Sequence, residues 1–181
     1  INKTGSKRLV VFTNISFVGF GEKDWLAKTI AQLEQDAKAG ARGLKLYKEL
    51  GMEFKDEKDN IIHIDDSRLD AVWDKCGELG IPVLIHSADP KCFWLPVDKN
   101  NERWLELTKH PDRKRTEKDP SWERVIQEQH NMFLKHPKTK FIAAHFGWLA
   151  NNLKRLGDFL DSAQNVYVEF GAIIAELGRQ P

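Results

Sequence analysis

The sequence has little cysteine and no long apolar segment. Its 181 residues include two cysteines, too few for the disulfide framework that holds small secreted domains together. No apolar run approaches the roughly 20 residues that a transmembrane helix needs. We therefore expect a reduced, cytoplasmic setting and no membrane partner.

An excess of charge of one sign is also missing. Lysine and arginine number 28 and aspartate and glutamate 27, which leaves a net charge of +1. A balanced chain lacks the electrostatic surface that attracts nucleic acid, so we expect no nucleic-acid partner. The length predicts one domain or part of one, covering residues 1–181. Because the chain begins at Ile1 rather than Met, we read it as truncated at the N-terminus.

What the sequence does contain is a repeated unit of amphipathic helix, glycine and short apolar strand. In the clearest copy a helix ends at Gly80 and the buried strand Val83, Leu84, Ile85 follows. The other predicted strands are residues 9–13, 43–48, 141–146 and 166–171. Helices between strands in series predict an α/β fold with a parallel sheet. A closed (β/α)8 TIM barrel needs about 250 residues, so a barrel here would be incomplete, with about five strands.

Polar side chains lie at the ends of these strands, where ligands bind in parallel α/β folds. His86 follows the strand 83–85, and His145 ends the strand predicted next along the chain. Glu169 lies near the end of the strand after that, and either Lys45 or Lys48 is the polar residue of the strand 43–48. Neutral imidazole is the commonest metal ligand and suits Zn²⁺, Mn²⁺ or Fe²⁺. Two histidines at neighbouring strand ends therefore predict a divalent metal site, with zinc as the first choice.

A long loop, residues 87–120, leaves the strand end that carries His86. Loops of this length inside a domain are usually lids or binding loops, so we expect it to overhang the site. Trp94 and Arg103 from this loop, with Lys48, are the predicted substrate contacts, and the two cations would anchor a carboxylate. The alternative is that Trp94 and Trp104 simply pack the loop in place.

Several segments resemble consecutive barrel strands of one enzyme family. IPVLIHSADP, KTKFIAAHFG and NVYVEFGA are similar to the fifth, sixth and seventh strands of the amidohydrolase superfamily, in its amidohydrolase-2 branch. GARGLKLYKELG and KRLVVFTNIS resemble its fourth and third strands. The resemblance implies a metal-dependent hydrolase that cleaves a C–N or C–O bond of a small molecule with metal-activated water. Some members break C–C bonds, so a decarboxylase is the alternative.

The resemblance also assigns roles to individual residues. The family's fifth-strand histidine, a metal ligand, corresponds to His86. Its sixth-strand histidine binds a second metal or orients the reactive water, and it corresponds to His145. Lys45 is the nearest match to the carboxylated lysine of dinuclear members. The family's first-strand His-x-His and eighth-strand aspartate would lie outside the present termini, so we expect the site to be incomplete in this chain.

The alternative to an enzyme is a non-catalytic α/β module that packs against a partner. Five strands without closure leave two unpaired edges and an uncovered inner face. We therefore expect this segment by itself to be unstable, homo-oligomeric or completed by further sequence.

Overall fold

The computed structural model describes residues 9–179. The polar residues 1–7, for which the sequence predicts a lead-in loop, lie outside them. Within the described part, parallel strands form a four-stranded sheet in chain order. The strands are β1 (Leu44–Leu46), β2 (Val83–Ile85), β3 (Phe141–Ala143) and β4 (Val166–Val168). The helices are α1 (Trp25–Lys38), α2 (Asp70–Glu78), α3 (Trp104–Lys109), α4 (Trp122–Lys135), α5 (Leu153–Ser162) and α6 (Ile174–Leu177).

The main helices form because their apolar residues recur on one face. In α4, Val125, Ile126 and Phe133 are fully buried, and the Ser121 side chain accepts a hydrogen bond from Arg124 N at 3.3 Å, which caps the helix. The apolar spacing of residues 25–38 and of about 122–135 predicts helices there, and the bounds of α1 and α4 confirm both predictions. None of the helices within residues 9–179 is long and apolar enough to cross a lipid bilayer.

The predicted first strand, residues 9–13, pairs with β1 through a single parallel bridge between Thr13 and Leu44. Thr13 N donates to Gly43 O at 2.9 Å, and Lys45 N donates to Thr13 O at 2.7 Å. Leu9 is 71% exposed, because this segment forms the outer edge of the described sheet. The segment therefore continues the parallel order, but it is too short to count as a full strand.

The two faces of the sheet differ in burial. Alternate residues such as Leu44 and Val83 are fully buried against the helices. The residues between them form one row in register on the other face, Lys45, Leu84, Ile142 and Tyr167. The first three of that row are partly exposed and Tyr167 is 53% exposed. Among the described residues the helices thus cover one face, and the face that forms the interior of a barrel is open, as predicted.

A buried histidine joins two of the covering helices. His130 of α4 stacks on Phe159 of α5 with ring centroids 3.7 Å apart and planes 8° from parallel. Burial, together with the charge of Arg155, lowers the pKa of His130 to about 4, while Glu123 opposes the shift. The folded protein therefore holds this imidazole neutral, stacked as an apolar ring.

We expect His130 to make the fold sensitive to acid. Its folded pKa of about 4 lies below the ordinary value of 6.5, so the unfolded chain binds the proton more readily. Stability is then complete above the unfolded pKa and falls as the pH drops through the window between the two values. The loss should reach about 3 kcal/mol at about pH 4. Urea unfolding of the full-length protein across this window should show a shallower pH dependence for His130→Phe. Equal slopes in variant and wild type would contradict the prediction.

Candidate functional site

Two histidines lie side by side at the carboxyl ends of β2 and β3. His86 directly follows β2, and its backbone N donates to Leu46 O at 3.0 Å, which continues the ladder to β1. His145 lies two residues beyond the end of β3. The ring centroids of His86 and His145 are 4.5 Å apart, and the planes are nearly perpendicular at 87°. The two imidazoles therefore border the same space, as the neighbouring strand ends predicted.

His145 lies in a left-handed turn instead of in the strand predicted for residues 141–146. The backbone angles φ/ψ are 57°/40° at His145, 55°/30° at Phe146 and 56°/26° at Gly147. For non-glycine residues this conformation is disfavoured by roughly 1–2 kcal/mol each. A side chain at Gly147 would also place its Cβ 2.9 Å from Oε1 of the buried Gln129. The turn is thus strained and is held by contacts from elsewhere in the fold.

The hydrogen bonding of His145 fixes which ring nitrogen carries the proton. Its Nδ1 lies 2.6 Å from Gly171 O, and a carbonyl oxygen can only accept a hydrogen bond. Nδ1 is therefore the protonated nitrogen of the neutral ring, and the lone pair is on Nε2. An imidazole in this state can ligate a metal or accept a proton through Nε2.

His86 has a buried ring nitrogen without a partner. Its Nε2 makes no hydrogen bond within the described part of the chain. Burial lowers the pKa of His86 to about 4, and the charges of His145, Lys45 and Lys48 add to this while Asp89 opposes it. The ring is therefore neutral near pH 7, the state in which histidine binds metals. Buried polar atoms are rarely left unsatisfied, so this nitrogen fits a divalent ion or another ligand.

Lys45 lies on the open face of β1 near these histidines. Its Nζ donates to Leu46 O and lies 4.2 Å from the centroid of the Tyr47 ring. Burial lowers the pKa of Lys45, although the carboxylates of Glu49 and Glu169 oppose the shift. A cavity of about 270 Å³ adjoins it, lined by Asn14, Ile15, Phe17, Lys45, Leu46, Tyr47, Glu49 and Phe54. The lysine thus borders open space, with more of its amine in the neutral form than is usual.

Lys48 is part of a buried ion cluster. Its Nζ lies 2.7 Å from Asp89 Oδ1, and the Arg115 guanidinium lies 2.5 Å from Asp89 Oδ2 through Nη2. The Asp89 side chain is only 5% exposed. Asp89 follows His86 by three residues and Arg115 lies near the end of the long loop, so the cluster ties that loop to the strand ends.

The two other predicted substrate contacts make internal contacts in the long loop. Arg103 Nη2 lies 2.5 Å from Glu176 Oε1, and Nη1 lies 3.1 Å from Glu106 Oε2. Trp94 Nε1 donates to Pro120 O at 3.0 Å, and Trp104 is 47% exposed. Trp94 therefore packs the loop, and Arg103 joins it to α6, while their role toward a substrate stays a prediction.

A second group of potential metal ligands lies away from these strand ends. His63, Asp65 and Glu128 each offer a ligand atom, all within 4.8 Å of one another. However, Arg124 Nε lies 2.7 Å from Glu128 Oε1, and Ile64 N donates to the other carboxylate oxygen at 3.1 Å. Because the carboxylate already has cationic and backbone partners, this group is the weaker candidate.

A protein-family model described as amidohydrolase matches residues 16–181. The chain belongs to the amidohydrolase family. No curated protein matches it.

The fold of the chain is that of an incomplete (β/α)8 barrel, and solved structures share this fold at low sequence identity. A 2,6-dihydroxybenzoate decarboxylase from Rhizobium is 15% identical, with a TM-score of 0.56 over 93% of this chain and 57% of that one. The apo form of an IDCase from Metarhizium anisopliae is 14% identical, with a TM-score of 0.51 over 98% of this chain and 42% of that one. The chain thus spans about half the length of these structures.

The sequence predicts part of this side-chain cluster but not all of it. It predicts His86 and His145, which the structure brings together, and it places Glu169 at a strand end without indicating a role. It does not identify Asp89 or Arg115, which form the ion cluster with Lys48. The sequence did contain one signal for Asp89: it lies three residues after His86, in the polar stretch that follows the buried strand.

Proposed function

We propose that the full-length protein is a metal-dependent hydrolase that cleaves a C–N or C–O bond of a small, carboxylate-bearing molecule. One observation carries the proposal. The Nε2 atom of His86 is buried without a hydrogen-bond partner in residues 9–179, directly beside the ring of His145. A neutral, unpartnered imidazole nitrogen next to a second imidazole is suited to holding a divalent cation.

In this proposal His86 is a metal ligand, with zinc as the first choice and manganese or iron as alternatives. Such an ion, when bound, lowers the pKa of water and supplies a nucleophile near neutral pH. His145 would be a second ligand or would orient the reacting water through its Nε2 lone pair. The remaining ligands and a carboxylate general base would come from sequence outside this chain.

The other proposed roles follow from charge. Lys45, with a lowered pKa, has more of the neutral amine that adds CO₂ to form a carbamate, so it is the candidate for a second, carbamate ligand. Lys48 and Arg103 would each exchange an internal carboxylate partner for the substrate carboxylate, and Trp94 would shape the pocket. We also expect a cytoplasmic location and a homo-oligomer.

Metal depletion tests the proposal on the full-length protein. The chelated protein should take up Zn²⁺ or Mn²⁺ and gain about 2.7 kcal/mol of stability at about 100 times the Kd, because the ion binds the folded state alone. Calorimetric metal titration and thermal unfolding measure both effects. An absence of metal uptake would refute the proposed function and favour the non-catalytic module.

Product analysis separates the hydrolase from the alternative lyase. A panel of carboxylate-bearing amides, esters and aromatic acids should release an amine or alcohol with the metal-loaded protein, and chelation should abolish the release. Release of CO₂ from the aromatic acids, without amine or alcohol from the other substrates, would replace the hydrolase with a decarboxylase on the same scaffold.

A further inference from the structure

Glu169 connects β4 to the turn that carries His145 through both its side chain and its backbone. Its Oε1 accepts a hydrogen bond from His145 N at 2.8 Å, and its Oε2 accepts one from Gly171 N at 2.6 Å. Its backbone O accepts from Phe146 N at 2.9 Å, and its N donates to Ala143 O at 3.2 Å. One residue thus binds the turn on both sides of His145.

These bonds act on a conformation that the local sequence does not favour. His145 and Phe146 both have left-handed backbone angles, which place the N–H groups of the turn toward β4. Because a carboxylate has two acceptor oxygens and no donor, Glu169 can satisfy two N–H groups at once. A glutamine of the same size would offer one oxygen and would turn an NH₂ group toward the other N–H.

The same carboxylate also fixes the partner of the imidazole. The Gly171 carbonyl accepts the hydrogen bond from His145 Nδ1, and Gly171 is held in turn by its own N–H bond to Glu169. A Cβ at Gly171 would lie 2.8 Å from Glu169 Oε2, so the close approach requires glycine at this position. The geometry connects the Glu169 carboxylate to Nδ1 through Gly171, and Glu169 Oε1 also lies 3.4 Å from Nδ1 itself.

We propose that Glu169 is a positioning residue that holds the left-handed turn and, through Gly171, keeps His145 in the tautomer protonated at Nδ1. In the neutral ring the lone pair of His145 is then on Nε2. This inference rests on the proposed function only where it gives His145 Nε2 the role of a metal ligand or of orienting the reacting water. The tautomer itself is a property of the metal-free protein and can be measured there.

Nitrogen-15 NMR of the chelated full-length protein at about pH 8 reports the tautomer, because an ordinary imidazole is neutral there. Wild-type His145, assigned by comparison with His145→Gln, should show a protonated Nδ1 and an unprotonated Nε2. Glu169→Gln should shift His145 toward a mixture of the two tautomers and weaken Zn²⁺ binding about 10- to 100-fold, as loss of a supporting contact does. Glu123→Gln, an exposed carboxylate that pairs with Arg155, is the control and should change neither readout.

Further variants cover the case in which Glu169→Gln fails to fold. Glu169→Asp keeps two acceptor oxygens and should recover part of the Nδ1-protonated form. Gly171→Ala leaves the carboxylate intact but blocks its approach, and it should give the same mixture as Glu169→Gln. An Nε2-protonated His145 in the wild type, or an unchanged tautomer in Glu169→Gln, would overturn the inference. A protein that shows the expected tautomers but binds no metal would refute the proposed function alone.

Discussion

Replacing His86 with alanine in the full-length protein is expected to remove its bound divalent metal and, with it, hydrolysis. The reason is that the buried Nε2 of His86 has no other partner among the described residues, while burial, together with neighbouring charges, lowers the pKa of the ring and keeps it neutral. Metal-binding energy enters folding stability directly, so the variant should also lose the stabilisation that added Zn²⁺ gives the wild type. Metal content by elemental analysis and melting with and without Zn²⁺ measure both effects.

The matched control is His63→Ala. His63 belongs to the other group of potential ligands, with Asp65 and Glu128, and its side chain is half exposed. This variant should retain wild-type metal content, because Arg124 already pairs with the Glu128 carboxylate. Unchanged metal content in His86→Ala would refute the ligand assignment, and a loss in His63→Ala would move the metal site to the second group.

Local sequence rules predicted the helices well because their signals are local. Apolar spacing predicted α1 and α4 with their observed bounds, and Asp66 caps the turn before α2 by accepting from Arg68 N at 2.9 Å. Asp24 precedes the apolar spacing of α1, which predicts it as the N-cap, and it occupies that position. Within the described residues, however, its carboxylate pairs with Lys28 at 2.8 Å and makes no capping hydrogen bond. The position of Asp24 at the start of the helix was predictable from the sequence. Whether its carboxylate would bond to the helix backbone or to Lys28 was not.

The geometry of the site depends on contacts between residues distant in sequence, and it was only partly predictable. The parallel sheet brings His86 and His145 together, and that followed from the pattern of strands. The left-handed turn did not, because Phe146 has the propensity of a strand residue and the bonds that hold the turn come from Glu169, 24 residues after His145. The partner of Lys48 lies 41 residues away, and no local pattern encodes such a pairing.

The ion cluster at Asp89 combines low exposure with charges of both signs, because Arg115 also lies 3.4 Å from Asp119 and 3.6 Å from Glu53. The Asp89 side chain is 5% exposed and the Arg115 side chain 12% exposed, so the pair is largely removed from water. Desolvation acts against the charge of Arg115, yet the hydrogen bonds and charge of Asp89 raise the pKa of the guanidinium overall. Two cations share this carboxylate, and removing it would leave both without their nearest counter-charge.

Asp89→Ala is expected to destabilise the full-length protein by about 3 kcal/mol, the low end of the range for breaking a buried pair, because Arg115 keeps Asp119 at 3.4 Å and Glu53 at 3.6 Å. Urea unfolding measures the change. Asp158→Ala, which breaks an exposed pair with Lys154 at 2.6 Å, is the control and should change stability by less than about 1 kcal/mol.

A double-mutant cycle identifies the cause of that loss. Arg115→Met removes the guanidinium but keeps much of its apolar stem, so the double variant Asp89→Ala/Arg115→Met should be less destabilised than the sum of the single variants. The coupling should be about 0.5–3 kcal/mol, the range for contacting residues. Because the cluster joins Arg115 in the long loop to Lys48 beside the site, Asp89→Ala should also make residues 87–120 more sensitive to limited proteolysis. Additive free energies together with unchanged proteolysis would show that the cluster does not hold the loop.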